Sequence, residues 1–386
     1  MFLTDLHYSK DVLSQCCKNI TYDSDEALLN DVYSSESISK EALVFYAITN
    51  VPEYIHIKYK DSYSIKKFSC NKGYSICLND SSDVNTYLKE HFQNKGKPIK
   101  KSLKRLEACF DITYKMFYGE ITKKECDSLL HLLKEMIAKR FQQRQEKSST
   151  IAQLDLIITT ANDLINTKKA SLFVIYHESK PIEIAFNYHY DKILFAFISS
   201  YDLDYSKFSL GNIEIYKQVD WCIQNKYDYF DMGWGNLEYK RRWSNNIYTY
   251  KHYYVYPEKS ISGYFIALLK GCKTILIAYY LASKNINVFY NKLKKIGSKK
   301  ETVLNDSFNY KIDPIEKGVF IENQNCMDLS TKNNQRFKEL INNFLYSSQE
   351  NHNNVKLFLF ETNKYVIQGI NSFQKITIIS ANESSI

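Results

Sequence analysis

The chain has 386 residues, of which 44% are hydrophobic, and a formal net charge of +8 at pH 7. This length suffices for two domains, and this apolar fraction supports a buried core, which excludes wholesale disorder. The positive charge favours an anionic partner, such as a nucleotide cofactor, an acidic lipid surface or a nucleic acid, without choosing among them.

The cysteines indicate a reducing environment and no metal site. Nine are present, without the Cys-x-x-Cys or His/Cys spacing of metal ligands. The first residues, MFLTDLHYSKD, carry acids where a secretory signal has a basic region and an apolar run. A cytoplasmic protein with reduced thiols is therefore expected.

The first quarter of the chain predicts a loop-rich entry followed by strands. Residues 1–40 are polar and acidic, whereas residues 42–78 contain four strand-like runs. The dipeptide Lys72-Gly73 separates the last two runs and predicts a turn. These runs predict a small antiparallel sheet.

A helix is predicted over Asp83 to Phe92, and a dense basic segment, KGKPIKKSLKR, follows from Lys95 to Arg105 with Pro98 at its bend. Two interpretations of this segment stay open. It is either a solvated connector, which is favoured, or a clamp for phosphates.

Two amphipathic helices are predicted next. Apolar residues recur every three or four positions between Ile121 and Gln145, and again between Ile151 and Ile165. The second helix opens with Thr150 and Gln153, which have the spacing of a capping box.

The pattern then changes to that of strands. SLFVIYH, IEIAFNYHY and ILFAFIS, separated by short polar turns, predict a three-stranded meander. A helix from Ile213 to Gln224 then leads to a strand from Tyr227 to Met232, and such a crossover makes neighbouring strands parallel. The free amides that start this helix, near Gly211, are suited to binding phosphate.

The segment YDYFDMGWGNLEYKRRW, Tyr227 to Trp243, combines large rings, two glycines and three consecutive cations. It predicts a strand, a Gly-Trp-Gly turn and a short helix. Strand-to-helix turns often carry the chemistry of α/β proteins. A core strand followed by a solvated basic helix is the alternative interpretation.

The most apolar segment, Tyr264 to Ala282, is interrupted by two lysines and a glycine, and lysines follow it from Lys292 to Lys300. It predicts a helix that either packs on the protein's own sheet, which is favoured, or lies on an anionic membrane surface. Near the end of the chain, a helix is predicted over 333–346, with strands around 355–360, 365–368 and 376–379.

Several of these features together resemble the GNAT-type acyltransferases of the CelD-like branch, which is related to the FemAB-like aminoacyl transferases. The resemblance covers about residues 80–260, and Leu210 stands where the family often has proline. The features that carry it are Lys100 to Arg105, Tyr201, Asp202, Ser209, Gly211, Phe230, Asp231, Gly233, Gly235, Tyr239 and Lys240.

The resemblance implies an α+β fold with a mixed, mostly antiparallel GNAT-like sheet and flanking helices, in one or two GNAT-like halves, plus a small α/β appendage at the C-terminus. The expected divisions are an N-terminal half at 1–120, the acyltransferase domain at 121–260, an amphipathic segment at 261–300 and the appendage at 301–386.

The implied activity is transfer of an acyl group, expected to be acetyl, from acyl-CoA to an amine or hydroxyl of a sugar, nucleotide sugar or polysaccharide precursor, without a metal. Asp231 is the candidate general base and Tyr239 the candidate acid. Lys240 is expected to fix a phosphate or carboxylate, since nothing in the sequence marks its pKa as depressed. The remaining site residues are the carrier-binding Phe197, Ile198, Ser209, Leu210, Gly211 and Asn212, and the acceptor-binding Tyr201, Asp202, Trp234, Glu238, Arg241 and Arg242.

Two other functions stay open. One is FemAB-like transfer from aminoacyl-tRNA, in which the basic segment would contact RNA phosphates. The other is a non-catalytic scaffold in polysaccharide assembly. The protein is expected in the cytoplasm, with peripheral contact to the inner face of the membrane left open.

Overall fold

The computed structural model of the chain describes residues 13, 15–22, 45–79, 81–144, 150–282, 309–313, 326–327 and 337–379. These residues form a mixed α+β fold with a large, mostly antiparallel sheet and helices around it, which confirms the predicted fold class. Most of the predicted entry at 1–40, the side chains of the predicted capping box and the lysines of 292–300 lie outside the described residues.

The strands are β1 (Cys17–Tyr22), β2 (Tyr46–Val51), β3 (Ile55–Tyr59), β4 (Tyr63–Cys77), β5 (Ile112–Phe117), β6 (Ala170–His177), β7 (Lys180–Tyr190), β8 (Ile193–Tyr201), β9 (Tyr229–Trp234), β10 (Asn246–Pro257), β11 (Asn309–Asp313), β12 (Lys356–Glu361), β13 (Lys364–Gln368) and β14 (Phe373–Ile379). The helices are α1 (Val84–Phe92), α2 (Lys97–Cys109), α3 (Lys123–Arg144), α4 (Thr150–Asn166), α5 (Leu210–Gln224), α6 (Glu238–Trp243), α7 (Ile261–Ala282) and α8 (Lys338–Ser348).

Three sheets are formed by the described strands. β1 pairs with β3, and a four-stranded sheet has the order β11-β14-β13-β12. The largest sheet has eight strands in the order β2-β10-β4-β9-β8-β7-β6-β5. Within it β8 and β9 are parallel, as the predicted crossover helix α5 requires.

The chain divides into two compact units, each built from segments distant in sequence. Unit 1 comprises residues 1–93, 187–197 and 219–301, and unit 2 comprises 94–186, 198–218 and 302–386. The divisions expected at residues 120, 260 and 300 remain a prediction.

In unit 1, the predicted turn at Lys72-Gly73 is wrong, because β4 continues through it as one strand of 15 residues. Gly73 serves close packing instead. A Cβ atom at this position would lie 2.2 Å from Cζ of Tyr248, whose ring covers the strand. The predicted separate N-terminal sheet is also corrected, since β2 and β4 flank β10 in the largest sheet.

Helix α7 packs on β4 and β10 in unit 1, as the favoured interpretation predicted. Small residues allow the close approach: a Cβ at Gly271 would lie 2.1 Å from the ring of Phe68. Within the described part of the chain, α7 is the one helix whose length and composition would let it cross a membrane, and 22% of its most apolar window is buried.

In unit 2, the helices α3 and α4 confirm both amphipathic predictions, and the meander of β6, β7 and β8 forms as expected. The favoured connector interpretation of the basic segment is wrong. Residues 97–109 form helix α2, with Pro98 in its first turn, where the ring fits helical geometry. Ile99 and Leu106 are buried, while Lys97, Lys101 and Lys104 are exposed.

The C-terminal elements share the hydrophobic core of unit 2. The helix predicted over 333–346 is α8, and the three predicted strands are β12, β13 and β14. Apolar side chains of α8, β13 and β14 form one buried cluster with residues of α2, β6 and α5. Members of this cluster are Leu106, Phe173, Tyr205, Leu210, Phe337, Leu345, Ile367 and Ile376.

Candidate active site

Strands β8 and β9 pair over a short stretch only. Ile193 to Phe195 lie opposite Tyr229 to Asp231, and the described register ends there. The side chains of 193–195 are buried, whereas those of 196–199 are partly exposed. Where two neighbouring strands stop pairing, the backbone N–H and C=O groups that face the gap are available to a ligand. Phe197 and Ile198, expected to face the acyl carrier, lie in this partly exposed stretch.

Asp231 lies at the centre of a buried polar cluster in unit 1. Its side chain is wholly buried and accepts three hydrogen bonds. Tyr54 Oη donates to Oδ2, Tyr248 Oη donates to the same oxygen at 2.6 Å, and the Gly233 amide donates to Oδ1 at 2.6 Å. Tyr250 Oη extends the cluster and lies 2.8 Å from Tyr248 Oη.

The strand order explains how this cluster forms. β4 lies between β9 and β10, and Gly73 of β4 is the register partner of Tyr248. Because Gly73 has no side chain, the Tyr248 ring can lie across β4 and reach Asp231 on β9. Tyr54, between β2 and β3, stacks on Tyr229 with ring centroids 4.8 Å apart.

The contacts of Asp231 favour a positioning role over the predicted general base. Burial raises its pKa, and the hydrogen bonds from Tyr248, Tyr54 and Gly233 counteract that rise. The carboxyl group is held on both oxygens and is not exposed to solvent. It fixes the start of the Gly-Trp-Gly turn by accepting from the amide of Gly233.

Lys240 lies under the same turn, on α6. Its ammonium group donates to the carbonyl oxygens of Met232 at 2.6 Å and Trp234 at 2.7 Å. Gly233 and Gly235 have positive φ angles of 72° and 111°, which glycine adopts without strain, so the turn can wrap around the lysine.

The pKa of Lys240 differs from the sequence-based expectation of an ordinary ammonium group. Burial lowers its pKa to about 8, and the carboxylate of Asp231 partly opposes that change. An amine with a pKa this close to neutrality can exchange a proton during a reaction. Sequence could not reveal this property, because it depends on burial beneath a turn formed by other residues.

The predicted acceptor residues of the β9–α6 segment form an exposed surface in unit 1. Trp234 is 54% exposed, and Tyr239, Glu238, Arg241 and Arg242 are exposed beside it in the chain. Exposed rings next to guanidinium groups suit an acceptor with both a sugar face and an anionic group.

Tyr201 and Asp202, the other predicted acceptor residues, lie in unit 2. The Arg140 guanidinium stands over the Tyr201 ring at 4.9 Å. Asp202 accepts from the backbone amide of Asp204 at 3.1 Å and forms an ion pair with Lys180. These contacts give Asp202 a structural role as a cap.

Helix α5 begins in unit 2 with Leu210, three residues earlier than predicted. Ser209 precedes it in the left-handed conformation, with φ of 57°, and the Leu210 side chain is buried. Gly211 and Asn212 are partly exposed, and a Cβ at Gly211 would have no neighbour within 4 Å. The start of α5 is thus open to a ligand, which fits the expected binding of a carrier phosphate.

An acidic pair in unit 2 was missed from the sequence. Glu214, in α5, accepts from Ser199 Oγ at 3.1 Å and from the side-chain amide of Gln218. Glu183, on β7, is wholly buried, and neither of its carboxyl oxygens has a hydrogen-bond partner among the described residues. Two glutamates 31 positions apart give no sequence signal, because only the packing of α5 on β7 buries both.

Both members of this pair have raised pKa values. Burial raises the pKa of Glu214 to about 7, against hydrogen bonds from Ser199 and Gln218 that lower it. Burial also raises the pKa of Glu183 well above its usual range, and the charge of Glu214 adds to that rise. A carboxyl group that titrates near neutrality is suited to general base catalysis.

One family model matches part of the chain. Residues 94–241, less than half of the chain, match the model described as an acetyltransferase (GNAT) domain. This range includes α2, the meander, the start of α5 and the turn around Lys240, and it confirms the resemblance drawn from the sequence. A comparison with curated proteins finds no match.

Solved structures with a similar arrangement are distant from this chain. A conserved protein of unknown function from Bacteroides thetaiotaomicron is 15% identical, with a TM-score of 0.38 over 51% of this chain and 63% of its own. The C-terminal domain (DUF2156) of a lysylphosphatidylglycerol synthetase from Agrobacterium fabrum is 8% identical, with a TM-score of 0.35 over 53% and 65%. FemX is 8% identical, with a TM-score of 0.39 over 53% and 68%.

This chain spans slightly less than two thirds of the first two of these structures. At these TM-scores, the GNAT family match over 94–241 is the finding that bears on function.

Proposed function

We propose that the protein transfers an acyl group, expected to be acetyl, from acyl-CoA to an amine or hydroxyl of a sugar, nucleotide sugar or polysaccharide precursor. The observation that carries this proposal is the GNAT family match over 94–241, a range that contains Lys240 and the open start of α5. In such a transfer, the acceptor's N–H or O–H group attacks the thioester carbonyl. Its proton passes to a base, and the departing thiolate takes up a proton.

The carrier is proposed to bind at the start of α5 in unit 2. Leu210 and Gly211 would present backbone amides to its pyrophosphate, and the helix dipole favours that charge. The other two predicted residues, Ser209 and Asn212, would line the same helix start, since their amides donate to the carbonyl oxygens of Ser206 and Ser209. The empty space around Gly211 supports this role, since the residue's missing side chain serves no contact within the protein.

Within unit 1, Lys240 is proposed as a proton donor in the reaction, because its pKa of about 8 lies close to neutrality. This role replaces the expected anchoring role of Lys240 and the acid role given to Tyr239, whose side chain is 41% exposed.

Glu214 is proposed, independently, as a proton acceptor that works through Ser199. The Ser199 hydroxyl is partly exposed and donates to the buried Glu214 carboxylate at 3.1 Å. A hydroxyl in this position can pass a proton from the surface to the carboxylate. Asp231 keeps the positioning role that its three hydrogen bonds indicate.

The acceptor class is proposed from the exposed β9–α6 surface. Trp234 and Tyr239 can stack on a sugar ring, and Arg241 and Arg242 can pair with a phosphate or carboxylate of the same molecule. A nucleotide sugar or a phosphorylated glycan precursor contains both features.

The test uses the full chain with acetyl-CoA and a panel of amino sugars and nucleotide sugars, and it follows release of free thiol. Lys240→Met should reduce turnover at least about 100-fold, in line with the usual contribution of a general acid. Lys259→Met, at an exposed lysine of the same unit, is the matched control and should retain full activity. Turnover in Lys240→Met equal to that of the control would contradict the proposed role.

The FemAB-like alternative makes a different prediction in the same preparation. Aminoacyl-tRNA would bind the exposed lysines of α2, Lys97, Lys101 and Lys104, and the affinity would fall steeply with salt. Thermal stabilisation by acetyl-CoA without salt-sensitive binding of tRNA supports the first function. The reverse result supports the alternative, and an absence of both would favour a non-catalytic scaffold.

We further propose that α7 contacts an anionic lipid surface. The helix turns a broad apolar face away from β4 and β10; Leu269 is 73% exposed and Tyr279 is 77% exposed. Its sequence has no acid, and Lys270 and Lys273 are exposed among the apolar residues. Apolar side chains interspersed with lysines are complementary to an anionic bilayer surface.

Vesicle flotation tests this contact. The chain should float with vesicles of phosphatidylcholine and phosphatidylglycerol, and less with phosphatidylcholine alone. Leu269→Glu combined with Leu276→Glu, at two exposed positions, should abolish flotation without unfolding the chain. Unchanged flotation of this variant would refute the lipid assignment. The assignment would also fail if the unaltered chain were a stable dimer and the variant a monomer, because the apolar face would then contact a second copy of the chain.

A further inference from the structure

Three side chains in unit 2, outside the proposed active site, present ligand atoms to a common point. They are His177 at the end of β6, Glu178 directly after it, and His352 in a short helical turn after α8. One ligand atom from each lies within 4.8 Å of the other two. This group could not be predicted from the sequence, because Glu178 and His352 are 174 positions apart.

The distances between these atoms match those around a tetrahedral metal ion. His177 Nε2 and His352 Nε2 are 3.4 Å apart, and His352 Nε2 is 3.6 Å from Glu178 Oε1. Two nitrogens bound to zinc at about 2.05 Å, at the tetrahedral angle, lie about 3.3–3.4 Å apart. In an octahedral site with bonds of about 2.1 Å, neighbouring ligands lie closer, at about 3.0 Å.

A direct hydrogen bond explains the two imidazoles less well. Hydrogen bonds from N–H groups span about 2.7–3.2 Å, and the observed 3.4 Å is longer. The two rings are nearly perpendicular, at 88°, with their centroids 4.5 Å apart.

The surroundings hold the His177 ring in the orientation of a ligand. Its Nδ1 is 2.7 Å from the hydroxyl of Tyr205, a wholly buried side chain, and the Phe110 ring packs against it at 4.7 Å. Metal-binding histidines commonly use their second nitrogen in such a hydrogen bond, which fixes the tautomer and directs the other lone pair at the metal.

The charges and the exposure around the three side chains also suit a bound cation. The neighbouring cation Lys180 is paired with Asp202, which limits its repulsion of a bound cation. Glu178 is 59% exposed and can adjust its position, which leaves the site open to an ion from solvent.

We propose that His177, Glu178 and His352 bind one zinc ion, with water in the fourth position. Three protein ligands, two imidazoles and one carboxylate, are a known donor set for this ion. The ion would join the β6–β7 turn to the segment that leads from α8 into β12. It would therefore stabilise the C-terminal elements within unit 2, separately from acyl transfer.

The test uses untagged full chain, freed of metal with a chelator and titrated with zinc chloride in a calorimeter. We expect one zinc ion per chain and a rise in the temperature of unfolding as zinc is added. His352→Gln and Glu178→Gln should each weaken zinc binding at least about 10-fold and remove most of the thermal shift. His131→Gln, at an exposed histidine of α3 in the same unit, is the matched control and should bind zinc as the unaltered chain does.

Two further results separate a built site from incidental binding. Tyr205→Phe should weaken zinc binding about 10- to 100-fold, since it removes only the hydrogen bond to Nδ1. The metal-free variants should unfold at the same temperature as the metal-free parent, which excludes misfolding as the cause. Sub-stoichiometric binding, binding that survives His352→Gln, or tighter binding of ferrous iron than of zinc would overturn the proposal.

Discussion

The buried acid Glu214 makes a quantitative prediction about stability. Its pKa is raised from the usual 4.5 to about 7 by burial, so between these pH values the folded chain binds a proton that the unfolded chain releases. Stability from this group is therefore complete below pH 4.5 and is lost as the pH rises toward 7. At about 1.4 kcal/mol per pKa unit, the total loss is about 3 kcal/mol.

The informative variant is Glu214→Gln, which removes the ionisation and retains hydrogen-bonding capacity. A glutamine can still accept from Gln218, and its amide can donate to Ser199 Oγ. Across pH 5 to 7, the free energy of unfolding of the parent should fall relative to that of the variant by most of those ~3 kcal/mol. Above about pH 8 the two should change in parallel.

Urea unfolding, followed by circular dichroism at half-unit intervals from pH 5 to pH 8, measures this difference. Glu120→Gln, at an exposed glutamate of the same unit, is the control and should follow the parent at every pH. Equal pH profiles for Glu214→Gln and the parent would show that this carboxyl group has an ordinary pKa in the folded chain. The proposed proton-accepting role of Glu214 would then lose its physical basis.

The remaining predictions concern Lys240 and two glycines. If the ammonium form of Lys240 donates a proton during the reaction, turnover should fall above its pKa of about 8, and Lys240→Arg should shift that fall to higher pH; an unshifted pH–rate profile counts against this role. Gly73→Ala should reduce the free energy of unfolding by about 1–3 kcal/mol, because the new methyl group meets the ring of Tyr248, and urea titration measures the loss. Gly211→Ala should change the free energy of unfolding by less than about 1 kcal/mol in the same titration, since no atom lies near the added methyl group. The same variant should weaken acetyl-CoA binding measured by calorimetry. Unaltered binding would show that the carrier does not bind at the start of α5.

The sequence predicted those elements whose hydrophobic pattern is local. Both amphipathic helices, the meander and the strand–turn–helix around Lys240 follow from periodicities of 3.6 and 2 residues, and all of them form. The prediction at Pro98 was wrong, because proline has opposite meanings at two positions in a helix. In the interior it breaks the helix, whereas in the first turn, where Pro98 lies, it is compatible with the start of a helix. Only the residues around it distinguish the two cases.

The sequence could not predict properties that arise from contacts between distant segments. Gly73 has the appearance of a turn residue until the Tyr248 ring is seen to occupy the space beside it. The depressed pKa of Lys240 and the raised pKa of Glu214 depend on burial by elements far away in the chain. The sequence pattern therefore located Lys240 without revealing its pKa, and it did not indicate Glu214 at all.

The support of Asp231 has a consequence for where this protein can be divided. The family match ends at residue 241, but two of the three donors to the Asp231 carboxyl group, Tyr54 and Tyr248, come from outside it. A fragment cut to 94–241 would expose this carboxyl group and lose the anchor of the Gly233 turn. Residues on both sides of the recognised domain thus belong to the functional unit, and recombination or truncation at the domain's borders should not yield a transferable module.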